Sequence, residues 1–235
     1  MTEPAHAPSR ADVMAACDLY GMNSSDRARL VQLASEARQR GWWTAYSDVF
    51  TGSYIGLEDD ASLIWQWEVQ LIPGLLQTED YARTVIAQHR TQEEVQRRVM
   101  ARMARRTLLS RPDAPQLDAI IDEGVLRRPI GGREVMLEQL GALLISARRP
   151  NISIRVLPFS AGHHAGLEGA FTLLSFADDV DPDVVYVEGV GGDVYVESSD
   201  QIERCRVILE QITTAALSPE DSIRLITEIK DDYIS

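Results

Sequence analysis

Lysine is almost missing from this chain. Lys230 is the only one, and arginine supplies the rest of the 23 basic residues. Positive charge is scarce overall, because 36 aspartates and glutamates leave a formal charge of −13. A free-standing nucleic-acid binder carries a basic face that displaces counterions from phosphates, so this balance argues against nucleic acid as a direct partner. Cysteine is scarce too. Cys17 and Cys205 lie far apart, with no CxxC and no His/Cys cluster at zinc spacing. That excludes a disulfide scaffold and a structural zinc site, predicts no metal or cofactor, and points to a reducing, cytoplasmic setting. No apolar run reaches the roughly 18 residues of a membrane span, and MTEPAHAPSR has no signal-peptide core, so no membrane role is expected. Phosphate-loop and nucleophile spacings are absent as well, and a binding domain is therefore preferred to an enzyme.

What is present is an ordinary globular composition, 45% apolar and 25% charged over 235 residues, enough to bury a core without staples. Ser9 is placed to cap a helix in SRADVMAACDLYG that stops at Gly21, and SSDRARLVQLASEARQRG reads as a second helix ending at Gly41. Asp59 or Asp60 is expected to start a helix running through Trp67, and Pro73-Gly74 to turn the chain between two helices. Thr78 caps the next helix, with Glu79 and Asp80 in its first turn, where the helix dipole favours acids. Thr91 and Glu94 have capping-box spacing for a long helix to about Leu109.

Beyond Pro112 and Pro115 the period changes. QLDAIID, ISIRVLPF, GAFTLLSF, DVVYVEG and DVYVES alternate as five strands, the last two forming a hairpin around Val190-Gly191-Gly192. Gly131-Gly132 opens a helix carrying Met136, Leu140, Leu143, Leu144 and Ala147. Two helices close the chain, the first apolar at Ile202, Cys205, Leu209, Ile212 and Ala216, the second begun by Ser218 and Pro219. The expected class is α+β: an N-terminal helical half, then a mainly antiparallel or mixed five-stranded sheet packed with helices. The expected division is 1–41 and 42–235, the latter helical over 42–112 and α/β over 113–235.

Three patterns could carry binding. The first is aromatic: Trp42, Trp43, Tyr46, Tyr54, Trp65 and Trp67, with Glu68 as a polar anchor. On a helix, Trp65 and Trp67 diverge and cannot both face a core, which suits an aromatic-walled groove; the alternative is a packed corner. The second is the loop PFSAGHHAGLEGAF, in which His163 or His164 with Glu168 could do acid–base work; the alternative is a flexible connection with solvated histidines. The third is the arginine stripe Arg98, Arg102 and Arg105, which suits an acidic partner or a phosphate, or is a solvated face answering the eight acids between Asp178 and Asp200. Gly131-Gly132-Arg133 is a turn rather than a phosphate loop.

RGWW, YIGLE, WEVQLIPGLLQTEDYA, IDEGVLRRPIGG, VMLEQL, ISIRVLPFSAGHHAGLEGAFTLLSF, VVYVEG and ALSPEDS together resemble the antitoxin-like, Scr-type helix-turn-helix regulators of high-GC bacteria, over about Pro8 to Tyr233. The resemblance implies an effector domain that follows a DNA-reading domain and takes a small protein encoded by a neighbouring gene or a small-molecule effector. It also implies that the groove-entering helices lie before Met1, so that this chain alone does not bind DNA specifically. Symmetry common among regulators makes a homodimer compatible with the apolar positions near the C-terminus. The alternative is a stand-alone enzyme of natural-product metabolism using His163 or His164 with Glu168 or Glu68.

Overall fold

A computed structural model describes residues 10–23, 26–27, 29–30, 42–46, 48–49, 54–88, 90–177 and 182–234. The chain divides into two compact units, Met1–Ser47 and Asp48–Ser235. In the first unit, α1 (Arg10–Leu19) ends at Gly21, whose φ of 62° suits a residue without a Cβ. Trp42–Tyr46 forms one 3₁₀ turn. Most of the expected second helix lies outside the described residues.

The second unit is built on six strands, β1 (Leu63–Glu68), β2 (Gln116–Asp122), β3 (Ile152–Leu157), β4 (Phe171–Ser175), β5 (Val184–Val187) and β6 (Val194–Val196), in the order β3-β2-β1-β4-β5-β6. β1, β2 and β3 run parallel; β4, β5 and β6 continue antiparallel from β1. The expectation of five strands is corrected to six, and the N-terminal half is not purely helical, because its LIWQWE segment is the strand on which the parallel and antiparallel halves meet. The helix expected to start at Asp59 or Asp60 ends there instead, as α2 (Tyr54–Asp60). The remaining helices are α3 (Glu79–Ile86), α4 (Gln92–Arg105), α5 (Glu123–Arg127), α6 (Arg133–Ser146), α7 (Ser199–Ala215) and α8 (Pro219–Ile234).

Local chemistry accounts for most boundaries. The Thr78 side chain accepts from the Tyr81 amide, and Thr91 and Glu94 form the reciprocal capping box of α4. Gly132, at φ 85°, precedes α6. The Ser218 hydroxyl accepts from the Asp221 amide at 3.1 Å at the head of α8. Pro73 makes a corner, though it joins β1 to α3 rather than two helices, its carbonyl accepting from Leu76 N at 2.8 Å. Gln139 of α6 locks that corner, accepting from Thr78 N at 2.8 Å and donating to Leu76 O at 2.9 Å.

The sheet is covered on both faces, so its central strands are largely apolar. One face packs Trp67, Ile120, Leu173 and Val185 against Ile202, Leu209 and Ile212 of α7. The register puts Ile154, Ala119, Gln66, Thr172, Tyr186 and Tyr195 in a row on the other face, where α2 and α4 lie. The two sheet edges differ. At β3, Leu217 N donates to Val156 O and Val156 N to Ser222 Oγ, both at 2.9 Å, so the C-terminal segment closes that edge. At β6 no further strand follows among the described residues.

Candidate functional site

The tryptophan-rich stretch is divided between the two units. Trp42, Trp43 and Tyr46 belong to the first unit and Tyr54, Trp65, Trp67 and Glu68 to the second. Trp43 and Tyr46 are half-buried. On a strand, residues two apart share a face, so Trp65 and Trp67 point the same way, contrary to the helical expectation. Trp67 is fully buried and donates Nε1 to the Gly166 carbonyl at 3.0 Å. It is a core residue. A Cβ at Gly166 would lie 2.6 Å from Trp67 Cε2 and Nε1, which explains a glycine there. Trp65 is half-buried and lines a hollow of about 150 Å³ with Asp118, Ser153, Arg155 and Thr213. Burial raises the Asp118 pKa. A second hollow, of about 240 Å³, lies among Leu75, Met103, Arg106, Leu109, Ser146 and Arg149. Both fall below the roughly 300–1,000 Å³ of drug-sized ligand pockets.

In the histidine loop, His164 has a structural role. His164 Nδ1 accepts from Gly166 N at 3.2 Å, starting a 3₁₀ turn at Ala165–Glu168, and its ring meets the edge of Trp67 at 5.6 Å. His163 and Glu168 are exposed. Among the described residues no three His, Cys, Asp or Glu side chains gather as a metal site, and no helix is long and apolar enough to cross a membrane.

The arginines of α4 do not form a solvated stripe. Arg105 makes a two-point ion pair with Glu58, whose side chain is 1% exposed; Arg105 Nη2 donates to Oε1 at 2.6 Å and Nε to Oε2. The Tyr54 hydroxyl donates to the same Glu58 Oε1 at 3.0 Å, and the Arg105 guanidinium lies 5.2 Å from the Tyr54 ring centre. Tyr54 stacks on Tyr186 at 4.1 Å, and Tyr186 on Tyr195 at 5.3 Å. The Tyr195 hydroxyl accepts from Tyr54 N at 3.1 Å, tying α2 to β6. Arg97 holds Asp48 at 3.0 Å, and Arg111 holds Asp59 at 2.8 Å and reaches Asp113 at 3.6 Å, so among the described residues the carboxylate partners of these arginines include Asp48, Glu58, Asp59 and Asp113. Arg98 is half-buried beside them.

Arg102 and Glu68 complete this face without pairing. Arg102 Nη1 donates to Gln77 Oε1 at 2.8 Å and has no carboxylate within ion-pair distance among the described residues. Burial and then Arg105 lower its pKa to about 10. Glu68 accepts from Gln66 Nε2 at 3.0 Å; burial and then the charge of Glu188 push its pKa up to about 7. Burial, then Glu188, also raise the Tyr186 hydroxyl pKa. Sequence reasoning named Tyr54, Glu68, Arg102 and Arg105 but not Glu58, Gln66, Tyr186 and Tyr195. The alternation of Gln66 and Glu68 with Trp65 and Trp67 was the signal that could have found the strand and its polar face.

An acidic group and two valines are exposed around the β6 edge. Glu188, Asp193 and Glu197 flank β5 and β6, whereas Asp183 is held by Arg206. Val190 and Val194, in the same hairpin, are 113% and 53% exposed. Compared with known proteins, residues 51–228 match the family model described as a domain of unknown function, DUF5753. No curated protein and no solved structure matches.

Proposed function

We propose that this chain, which belongs to the DUF5753 family, is the partner-receiving regulatory domain of an antitoxin-like, Scr-type transcription regulator. It does not read DNA itself. Its partner is the small protein encoded by a neighbouring gene, and that protein docks by adding an extended segment to β6. The observation that carries this reading is the unequal treatment of the two sheet edges. β3 is closed at Val156 by Leu217 and Ser222, while β6 has no further strand on its outer side among the described residues and begins at the exposed Val194, four residues after the exposed Val190. An open edge is a template for strand addition, and natural proteins protect edges that have no such use.

Charge selects the partner. Asp193 and Glu197 have no basic side chain within ion-pair distance among the described residues. Like charges oppose edge-to-edge pairing of two copies and favour a basic segment.

The test is co-expression with the neighbouring small protein, followed by hydrogen exchange of the purified complex. Expected are a stable complex, slowed amide exchange at residues 194–196, and weaker binding by a variant carrying Asp193→Lys and Glu197→Lys. Failure to form a complex, or a complex in which β6 exchange is unchanged, refutes the reading.

A further inference from the structure

At the carboxyl end of β1 one buried acceptor is left unmet beside a carboxylate. Gln66 is only 6% exposed. Its amide nitrogen is committed to Glu68, and its carbonyl oxygen, on the same carbon, has no hydrogen-bond donor. A buried acceptor left unpaired costs about 1–3 kcal/mol, so it points to a missing donor. Glu68 itself has no basic side chain within ion-pair distance among the described residues, although Arg102 and Arg105 lie near enough to act on its charge. Glu188 follows Tyr186 by two positions and its charge also bears on Glu68.

The local balance of charge fixes the sign of what is missing. Glu58 and Arg105 neutralise each other in their two-point pair. That leaves Glu68 and Glu188 facing the single guanidinium of Arg102, which is turned to Gln77. The corner therefore holds surplus negative charge and an orphaned carbonyl side by side. A hard metal ion would need more oxygen ligands than this, and no three acidic, histidine or cysteine side chains gather among the described residues.

We propose that this corner binds an organic cation bearing N–H groups, a guanidinium or alkylammonium, whose hydrogens bridge the Gln66 carbonyl and the Glu68 carboxylate. A charge-assisted hydrogen bond to Glu68 supplies the attraction, and the Gln66 oxygen supplies selectivity for a cation that can donate. Gln66 and Glu68 lie on β1, with β4 and β5 between them and β6, and binding of the cation does not depend on partner docking at that edge.

Binding is linked to protons. Glu68 titrates near 7 in the field of Glu188 from the end of β5, Arg102 and Arg105 from α4, and Tyr81 from α3. A cation that binds only the ionised carboxylate sees about one-tenth of the sites competent at pH 6 and about nine-tenths at pH 8. The apparent affinity therefore rises about tenfold across that interval.

The test is isothermal titration of the full chain with methylguanidinium and n-butylammonium, with tetramethylammonium as an equally charged cation that has no N–H. A hexapeptide containing one arginine separates a free small cation from a protein side chain as the source: tighter peptide binding assigns the side chain, equal or weaker binding the free cation. Expected are saturable binding of the donors, at least about tenfold weaker binding by tetramethylammonium and by Glu68→Gln, and the tenfold rise from pH 6 to pH 8. Glu188→Gln, on the exposed rim, keeps the test open if Glu68→Gln fails to fold, and is expected to bind more weakly with its pH midpoint moved down. No binding of either donor, equal binding of tetramethylammonium, or a flat pH profile overturns the proposal.

Discussion

Replacing Arg105 by methionine leaves Glu58 as an uncompensated carboxylate whose side chain is 1% exposed, in contact with the Tyr54 hydroxyl and beneath α4. Truncating one partner of a buried ion pair costs about 3–5 kcal/mol, since the surviving charge keeps its desolvation penalty and loses its attraction. The loss of two hydrogen bonds and of the guanidinium over the Tyr54 ring acts in the same direction. For a unit of this size, roughly 2–4 °C of melting temperature accompanies each kcal/mol, so the variant should melt about 6–20 °C lower. Against a total stability of about 5–15 kcal/mol, such a loss brings the second unit close to unfolding. Urea titration followed by tryptophan fluorescence measures it, because Trp67 is fully buried in the folded state. The double variant Glu58→Leu with Arg105→Met removes both charges and should recover most of the loss, giving a large favourable coupling in the cycle. An Arg105→Met variant within about 1 kcal/mol of the parent, or a double variant no better than the sum of its singles, refutes the view that charge burial dominates this contact.

Three further outcomes are expected. Gly166→Ala forces a methyl group to within 2.6 Å of the Trp67 ring and 2.9 Å of Ile212, and should cost about 1–3 kcal/mol by thermal unfolding. Thr91→Ala removes the capping box and should cost about 1 kcal/mol, most visible as faster amide exchange in the first turn of α4. The folded pKa of Glu68 is raised to about 7 from an ordinary 4.5. Its proton-bound form therefore favours folding fully below pH 4.5, and that contribution is lost as pH rises through 7. Glu68→Gln should flatten the fall in stability between about pH 5 and pH 8, measured as urea midpoints across that range.

Features written in local chemistry were legible from the residues. Thr78, the Thr91–Glu94 box, Gly132 and the Ser218-Pro219 start each act within a turn of where they sit, and the β5–β6 hairpin is closed by a connection only a few residues long. β1 reads as helix because acidic residues stand just before it: Asp59 and Asp60 suit a helix start, yet they end α2. Its alternation is confined to Trp65–Glu68, because Leu63 and Ile64 before it are both apolar, as befits a strand covered on both faces. Non-local pairs were illegible for a different reason. Arg105 meets Glu58 across 47 residues of chain, and Gln66 reaches the row of Tyr186 only through the register of two antiparallel pairs. No periodicity along one element encodes such meetings.

The position of β1 has a cost during synthesis. Its parallel neighbour begins at Gln116 and its antiparallel neighbour ends at Ser175. A ribosome adding about 5–20 residues per second leaves one side of this tryptophan-bearing strand without its mate for about 5–20 seconds. The nascent chain must shelter an aggregation-prone segment throughout that interval, so the yield of soluble protein should respond to translation speed and to chaperone supply more than the stability of the finished fold would suggest.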